Sequence, residues 1–283
     1  MRGVRFRFVL LLTVSVLFPL MPEEAHDADW YASEAKSALE VENYEYAVKV
    51  LKEGKKFFPD AYNLQVLLGD IYSEKELYSL AREEYEGALS RVPEDFSILY
   101  KTSQVLGKLN EEKKAVALLE KIHRLYPEDR DVISDLAWMY FKTYQLTKGE
   151  KLLKDSIEAF GSNRSFSMTL GTIYSGMYEY DLAKSYYLES IKDSAGEEGR
   201  YFASVAYYNL SLLERGFYHY NSALDYTDRS LSLADRASGH LAKGELWKAR
   251  MDFDKAHEEF QRAYAIDSTP LAKVSLADLY QQW

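Results

Sequence analysis

The side chains best suited to acid–base or metal chemistry are five histidines, His26, His123, His219, His240 and His257, and their spacing supports neither. No HExxH occurs, and no two sit at i, i+4, the interval that puts a metal-binding pair on one helix face. They read as scattered surface histidines. Carboxylates are plentiful, yet runs such as Glu111-Glu112-Lys113-Lys114 read as solvated helix faces. Nothing singles out a carboxylate pair for glycosidase-type chemistry. The glycine patterns that cradle phosphates or dinucleotides are absent, and Ser211 lacks the flanking glycines of a nucleophile elbow. The chain has no cysteine, which excludes thiol nucleophiles, thiolate metal sites and disulfides. Asn163-Arg164-Ser165 and Asn209-Leu210-Ser211 match a glycosylation triplet, the second of them in what reads as mid-helix. No catalytic residue, metal ligand or cofactor is assigned.

What remains is contact chemistry, and the elements that carry it recur at a fixed step. Ala47, Ala81 and Ala115 lie 34 residues apart, as do Pro59, Pro93 and Pro127. The step continues to Gly149 and Ala183, then to Ala223 and Ala256 at 40 and 33. A period of this size means stacked copies of one supersecondary unit. Each unit reads as two amphipathic helices and a short turn. In the second, Leu64, Leu67, Leu68 and Ile71 share one helical face, and Leu80, Ala81, Tyr85, Ala88 and Leu89 share the next. Pro93 closes the unit, because its ring cannot continue a helix.

The pattern L-G-x2-Y, A-x3-aromatic-x2-A, P stands here as Leu68-Gly69, Tyr72, Ala81, Tyr85, Ala88 and Pro93, and it resembles the tetratricopeptide repeat. The fifth unit repeats it as Leu170-Gly171, Tyr174, Ala183 and Tyr187. The first (Ala35, Ala47, Leu51, Gly54, Pro59), third (Ser103, Ala115, Leu119, Pro127) and seventh (Gly244, Trp247, Ala256, Phe260, Ala263, Pro270) keep most markers. The fourth has Gly149 for the second-helix alanine and Gly161 for the closing proline. In the sixth, Glu214 sits where an aromatic is expected and Thr227 replaces the later aromatic, so looser helix packing is expected there. The resemblance runs from Asp29 to the C-terminus. It implies an all-α fold, a right-handed α-solenoid of about seven helix-turn-helix repeats plus a C-terminal helix. The segments are then 1–28, an N-terminal signal or anchor; 29–192, repeats one to five; 193–202, a longer connection; and 203–283, repeats six and seven with the terminal helix. The connection reads as a longer exposed turn, as lengthened flanking helices, or as a hinge.

In this family the first helices of successive repeats line a concave groove that takes extended or helical peptides. Residues off the packing stripe of those helices are therefore the candidates. In the fourth unit Ile133, Leu136, Ala137 and Tyr140 form the packing stripe, while Ser134, Trp138 and Phe141 form a second at i, i+4, i+7. Tyr100 and Gln104 take the matching positions in the third unit, Met168 and Thr172 in the fifth, and Tyr208 and Leu212 in the sixth. The middle of the groove would be aromatic and aliphatic, as binding hot spots are. The competing reading is that Trp138 and Phe141 only thicken contacts between helices. The lysine and asparagine set by which some family members grip a terminal carboxylate is not reproduced: only Lys36, Lys101 and Asn209 resemble it, in three distant units.

The net charge of −10 provides no basic footprint for nucleic acid. Arg2, Arg5 and Arg7 precede an apolar run from Phe8 to Phe18, the build of a secretory signal. The run falls short of the roughly 20 residues that span a bilayer. Export to the periplasm, or to a periplasm-facing membrane site, is expected, with membrane contact only through this segment if it is uncleaved. The expected role is a non-enzymatic scaffold for a protein or peptide partner. The alternatives are self-assembly through the C-terminal helix and its Trp283, or a sugar-binding or enzymatic accessory of envelope biogenesis.

Overall fold

The computed structural model describes residues 26–192 and 194–282; the basic and apolar N-terminal segment and Trp283 lie outside the described residues. Among those described, every regular element is a helix. The chain divides into two compact units, Met1–Val92 and Pro93–Trp283. The first holds two hairpins, α1 (Ala28–Glu40) with α2 (Tyr44–Phe57) and α3 (Tyr62–Glu74) with α4 (Tyr78–Leu89). The second holds five: α5 (Phe96–Lys108) with α6 (Glu112–Leu125), α7 (Arg130–Lys142) with α8 (Leu146–Phe160), α9 (Arg164–Gly176) with α10 (Tyr180–Ser190), α11 (Gly196–Gly216) with α12 (Tyr220–Leu233), and α13 (Ala237–Ala249) with α14 (Phe253–Ile266). A last helix, α15 (Pro270–Gln282), packs on α14 and α13. Within each unit the hairpins stack in series, which is the all-α solenoid that the period predicts.

The hairpins share one closing device. Seven residues, Glu42, Glu76, Asn110, Tyr144, Tyr178, Tyr218 and Met251, take left-handed backbone with φ between 56° and 65°. After each, the next N–H returns to a carbonyl five residues back, as in Gln145 to Tyr140 at 2.8 Å and Glu179 to Tyr174 at 2.9 Å. This Schellman closure satisfies carbonyls that the helix end would leave bare. Carboxylate and amide caps start many of the helices: Asp27, Asn43, Asp95, Asp129, Asn163 and Asp252 each accept a main-chain N–H. Asn163, the first residue of one glycosylation triplet, is thus a helix cap, bonded to Phe166 N at 2.8 Å.

The departures from the repeat pattern have local causes. Gly149 is bare because the side chain of Ile173 lies on it; an added Cβ would stand 2.8 Å from Ile173 Cδ1. Gly161 has φ +79°, which proline cannot adopt. The sixth hairpin is not loose. Ser211 and Thr227 join hydroxyls at 2.6 Å, and Ser230 Oγ donates to Ser204 O at 2.8 Å. Glu214 is buried and accepts from Lys184 Nζ at 2.5 Å, with His219 Nδ1 2.9 Å away. The longer step before this hairpin is taken up as helix, since α11 runs 21 residues while α10 runs 11.

One histidine expected at the surface is inside. His240 is buried, with Nδ1 2.5 Å from Glu259 Oε2 and Nε2 2.7 Å from Asp235 Oδ1. Glu259, also buried, meets Lys243 at 3.2 Å and Arg262 at 3.3 Å. Lys243 continues to Asp228 on α12 at 2.9 Å. Burial opposes the charge on Lys243, but the two carboxylates outweigh it and hold the amine above its usual range.

Candidate interaction surface

The second stripe of α7 stays open. Ile133, Leu136, Ala137 and Tyr140 are buried, whereas Trp138 is 42 % exposed and stacks on half-buried Phe141 with ring centroids 5.3 Å apart. Trp138 is therefore not consumed by packing. The spacing i, i+3 brings the two rings side by side on one helix face.

Two cavities open beside this pair, both inside the second unit. The first, about 320 Å³, is lined by Trp138, Met168, Thr172 and Tyr208 together with Val205, Asn209, Ser230, Arg236, Ser238 and Gly239. The second, about 440 Å³, is lined by Phe141, Thr172 and Leu212 with Ser175, Tyr180, Leu213 and Phe217 among others. Thr172 and Asn209 line both. Trp138, Phe141, Thr172, Tyr208 and Leu212, picked out by helical spacing on three different helices, are thereby brought to one surface, whereas Met168 is buried in the core and reaches only the wall of the first cavity. Thr172 is fixed there: its hydroxyl donates to Met168 O at 3.1 Å and accepts from the buried Tyr187 at 3.3 Å.

Three other candidates sit apart from these cavities. Tyr100 is half-buried, donates to Asp135 Oδ2 at 2.7 Å and stacks on Phe96, so its hydroxyl ties α5 to α7. Burial pushes both groups of that pair upward in pKa. Ser134 Oγ donates to Arg130 O at 2.8 Å, the usual inward bond of a helical serine. Gln104 is exposed on α5.

The candidate stripe left out Asn209 and Arg236. Asn209 Nδ2 lies 3.8 Å from Met168 Sδ, between the two cavities. Its signal was present, since Val205, Tyr208, Asn209 and Leu212 follow one face of α11 at i, i+3, i+4, i+7. Arg236 is on the turn before α13, and no periodicity marks it. Its guanidinium lies 4.6 Å over the Tyr201 ring, and it is the one charged side chain that lines either cavity among the described residues. Nor does any group of three or more metal-ligating side chains come together among the described residues. The arrangement can bind apolar and aromatic groups, with one cation at its end.

Comparison with known proteins agrees with this architecture. No family model matches the chain. A TPR repeat-containing protein of Methanocaldococcus jannaschii is 22 % identical over 92 % of this chain, and the chain spans 48 % of that relative's length. The crystal structure of a tetratricopeptide repeat protein from Parabacteroides merdae superposes with a TM-score of 0.76 at 16 % identity, over 89 % of this chain and 98 % of its own. Yeast Tom70 superposes with a TM-score of 0.67 at 15 % identity, over 92 % of this chain and 58 % of its own. At such identities the structures speak for the fold alone.

Proposed function

We propose that this chain, whose motif copies and fold are similar to those of tetratricopeptide-repeat proteins, is a non-enzymatic scaffold binding a peptide or helix of a partner protein in the cell envelope. The observation that carries the reading is the open Trp138–Phe141 stack with a cavity beside each ring. Both cavities are of a size to take a side chain or short segment, and exposed aromatics next to apolar hollows are the usual anchors of an interface. A segment that presents two apolar side chains, with an acidic or polar neighbour toward Arg236, matches the lining. The envelope part of the proposal rests on Arg2, Arg5, Arg7 and the apolar run that follows. No helix among the described residues is long and apolar enough to cross a membrane.

The test is affinity capture from the native host, comparing wild type with the Trp138→Ala, Phe141→Ala double variant. Loss of a specific co-purifying protein, with an unchanged circular-dichroism melt, supports the reading; equal capture by both proteins removes it. Cell fractionation tests the location separately, and recovery in the cytosolic fraction would overturn it.

A second reading has its own observation. On α15, Leu271 and Val274 are both more than half exposed at i, i+3, while Ala272, Ser275 and Leu279 face inward. An apolar stripe of this kind suits a second copy of the chain. Light scattering that shows a strict monomer at tens of micromolar would exclude it.

A further inference from the structure

A cavity of about 440 Å³ lies among α6, α7 and α8, on the packing stripe of α7 and not on the stripe that carries Trp138. Its apolar lining is Leu136, Leu152 and the ring of Tyr140. Three cations, Arg124, Lys148 and Lys151, join it against two carboxylates, Glu120 and Asp155. Glu120 is already engaged, accepting the Tyr140 hydroxyl at 2.7 Å. Among the described residues none of the three cations enters an ion pair; Lys148 lies 5.4 Å from the Tyr140 ring centroid. In a chain of net charge −10, a hollow with surplus positive charge runs against the whole.

His123 lines the cavity, and its Nδ1 is buried with no hydrogen-bond partner. A buried polar nitrogen left bare is unfavourable, so native proteins seldom keep one without reason. Burial pushes the His123 pKa down, which keeps the ring neutral and able to donate or accept. Helix-end electrostatics explains Arg124, in the last turn of α6, but neither the two lysines of α8 nor the bare nitrogen.

We propose that this cavity binds a small organic anion, its flat apolar body against Leu136, Leu152 and Tyr140, its phosphate or carboxylate held by Arg124, Lys148 and Lys151, with the His123 ring in its wall. The size is that of a small-molecule site. The site lies outside the peptide surface, so it stands or falls independently of it.

Four probes test it by titration on the full chain: 1-naphthyl phosphate, 1-naphthoate, 1-naphthol and inorganic phosphate. Saturable binding of one naphthyl anion is expected, at least tenfold tighter than 1-naphthol or inorganic phosphate. Which naphthyl anion wins tells phosphate from carboxylate. The Lys148→Gln, Lys151→Gln double variant should weaken that binding at least tenfold without moving the melting curve, and the His123 ring resonances should shift on titration while those of His219 stay. Undiminished binding by the double variant overturns the proposal. So does an unmoved His123 signal, or no saturable binding of either anion up to about 5 mM, a limit beyond ordinary ligand affinities.

Discussion

Tyr187 lies against the backbone of Gly171 so closely that a Cβ added to the glycine would stand 2.6 Å from the ring's Cδ1. The same contact joins Gly69 to Tyr85 and Gly244 to Phe260, where the added Cβ would meet the ring at 2.5 and 2.4 Å. The equivalent positions elsewhere are buried Ala35 with Leu51, Ser103 with Leu119, Ala137 with Leu153, and Ser211 with Thr227. Glycine occurs where the second helix brings an aromatic ring, and alanine or serine where it brings a smaller side chain. The pair, not the single residue, is what the repeat holds constant. Gly171→Ala should therefore destabilise by about 1–3 kcal/mol through overpacking. Gly171→Ala with Tyr187→Leu, which rebuilds the Ala137–Leu153 pairing, should recover most of that loss. Urea unfolding of the three variants checks it.

A second compensation runs between hairpins. Tyr174 donates to Glu150 on the preceding second helix at 2.8 Å. In the next repeat the same two positions are Glu214 and Lys184, so donor and acceptor have changed places. Lys184→Met leaves Glu214 buried with His219 alone and should destabilise by about 2 kcal/mol. Lys184→Glu with Glu214→Tyr restores the Tyr174–Glu150 arrangement and should come closer to wild type than either single change. A double-mutant cycle measures the coupling.

The acid limb of stability should report Glu214. Burial opposes its charge, but the bonds from Lys184 and His219 prevail and its carboxyl titrates below the ordinary glutamate range. A lowered folded-state pKa means a contribution fully present above the unfolded value and lost as pH falls through the folded one. Melting temperature should thus drop on going from pH 5 toward pH 3, the span about the ordinary carboxylate pKa. Glu214→Gln should be less stable at pH 7 and show a shallower fall; parallel curves would contradict the assignment.

His240 should be among the least replaceable residues of the last hairpin. His240→Leu leaves Glu259 with Lys243 and Arg262 but without its buried imidazole partner, a loss of about 1–3 kcal/mol. Amide exchange in α13 and α14 should rise well above that in α5 and α6. Uniform exchange along the second unit would show that the network is dispensable.

Tyr144 makes the opposite prediction. It is 90 % exposed with φ +59°, so its side chain contributes no burial while its backbone is strained. Relief of about 1–2 kcal/mol from leaving the left-handed penalty, less about 1 kcal/mol for the freer unfolded glycine, makes Tyr144→Gly slightly stabilising. A small rise in melting temperature is the expected outcome.

The hairpins were legible because their markers repeat: Leu68-Gly69, Tyr72, Ala81 and Tyr85 announce two packed helices before any contact is seen. So were the residues that converge from α7, α9 and α11, since helical spacing separates the Trp138 stripe from the Ile133 stripe. What was not legible depended on partners distant in the chain. Glu214 looks like a defect until Lys184 is placed beside it. Gly149 looks like a weakness until Ile173 is found upon it. His240 looks like a surface residue until Glu259, 19 positions on, closes over its ring. Arg236 reaches the cavity from a turn, where no period applies. Tyr100 and Ser134 have the right spacing for the surface, but their hydroxyls are spent on Asp135 and Arg130.

The seven Schellman closures have a consequence for how such a chain can diversify. Because main-chain bonds alone shut each turn, the tip side chain is not needed to close it, and glutamate, asparagine, tyrosine and methionine all serve there. The hairpin tips are thus a margin on which new lettering can be written without disturbing the page: evolution, or an engineer with a label or a crosslinker, can edit them one at a time.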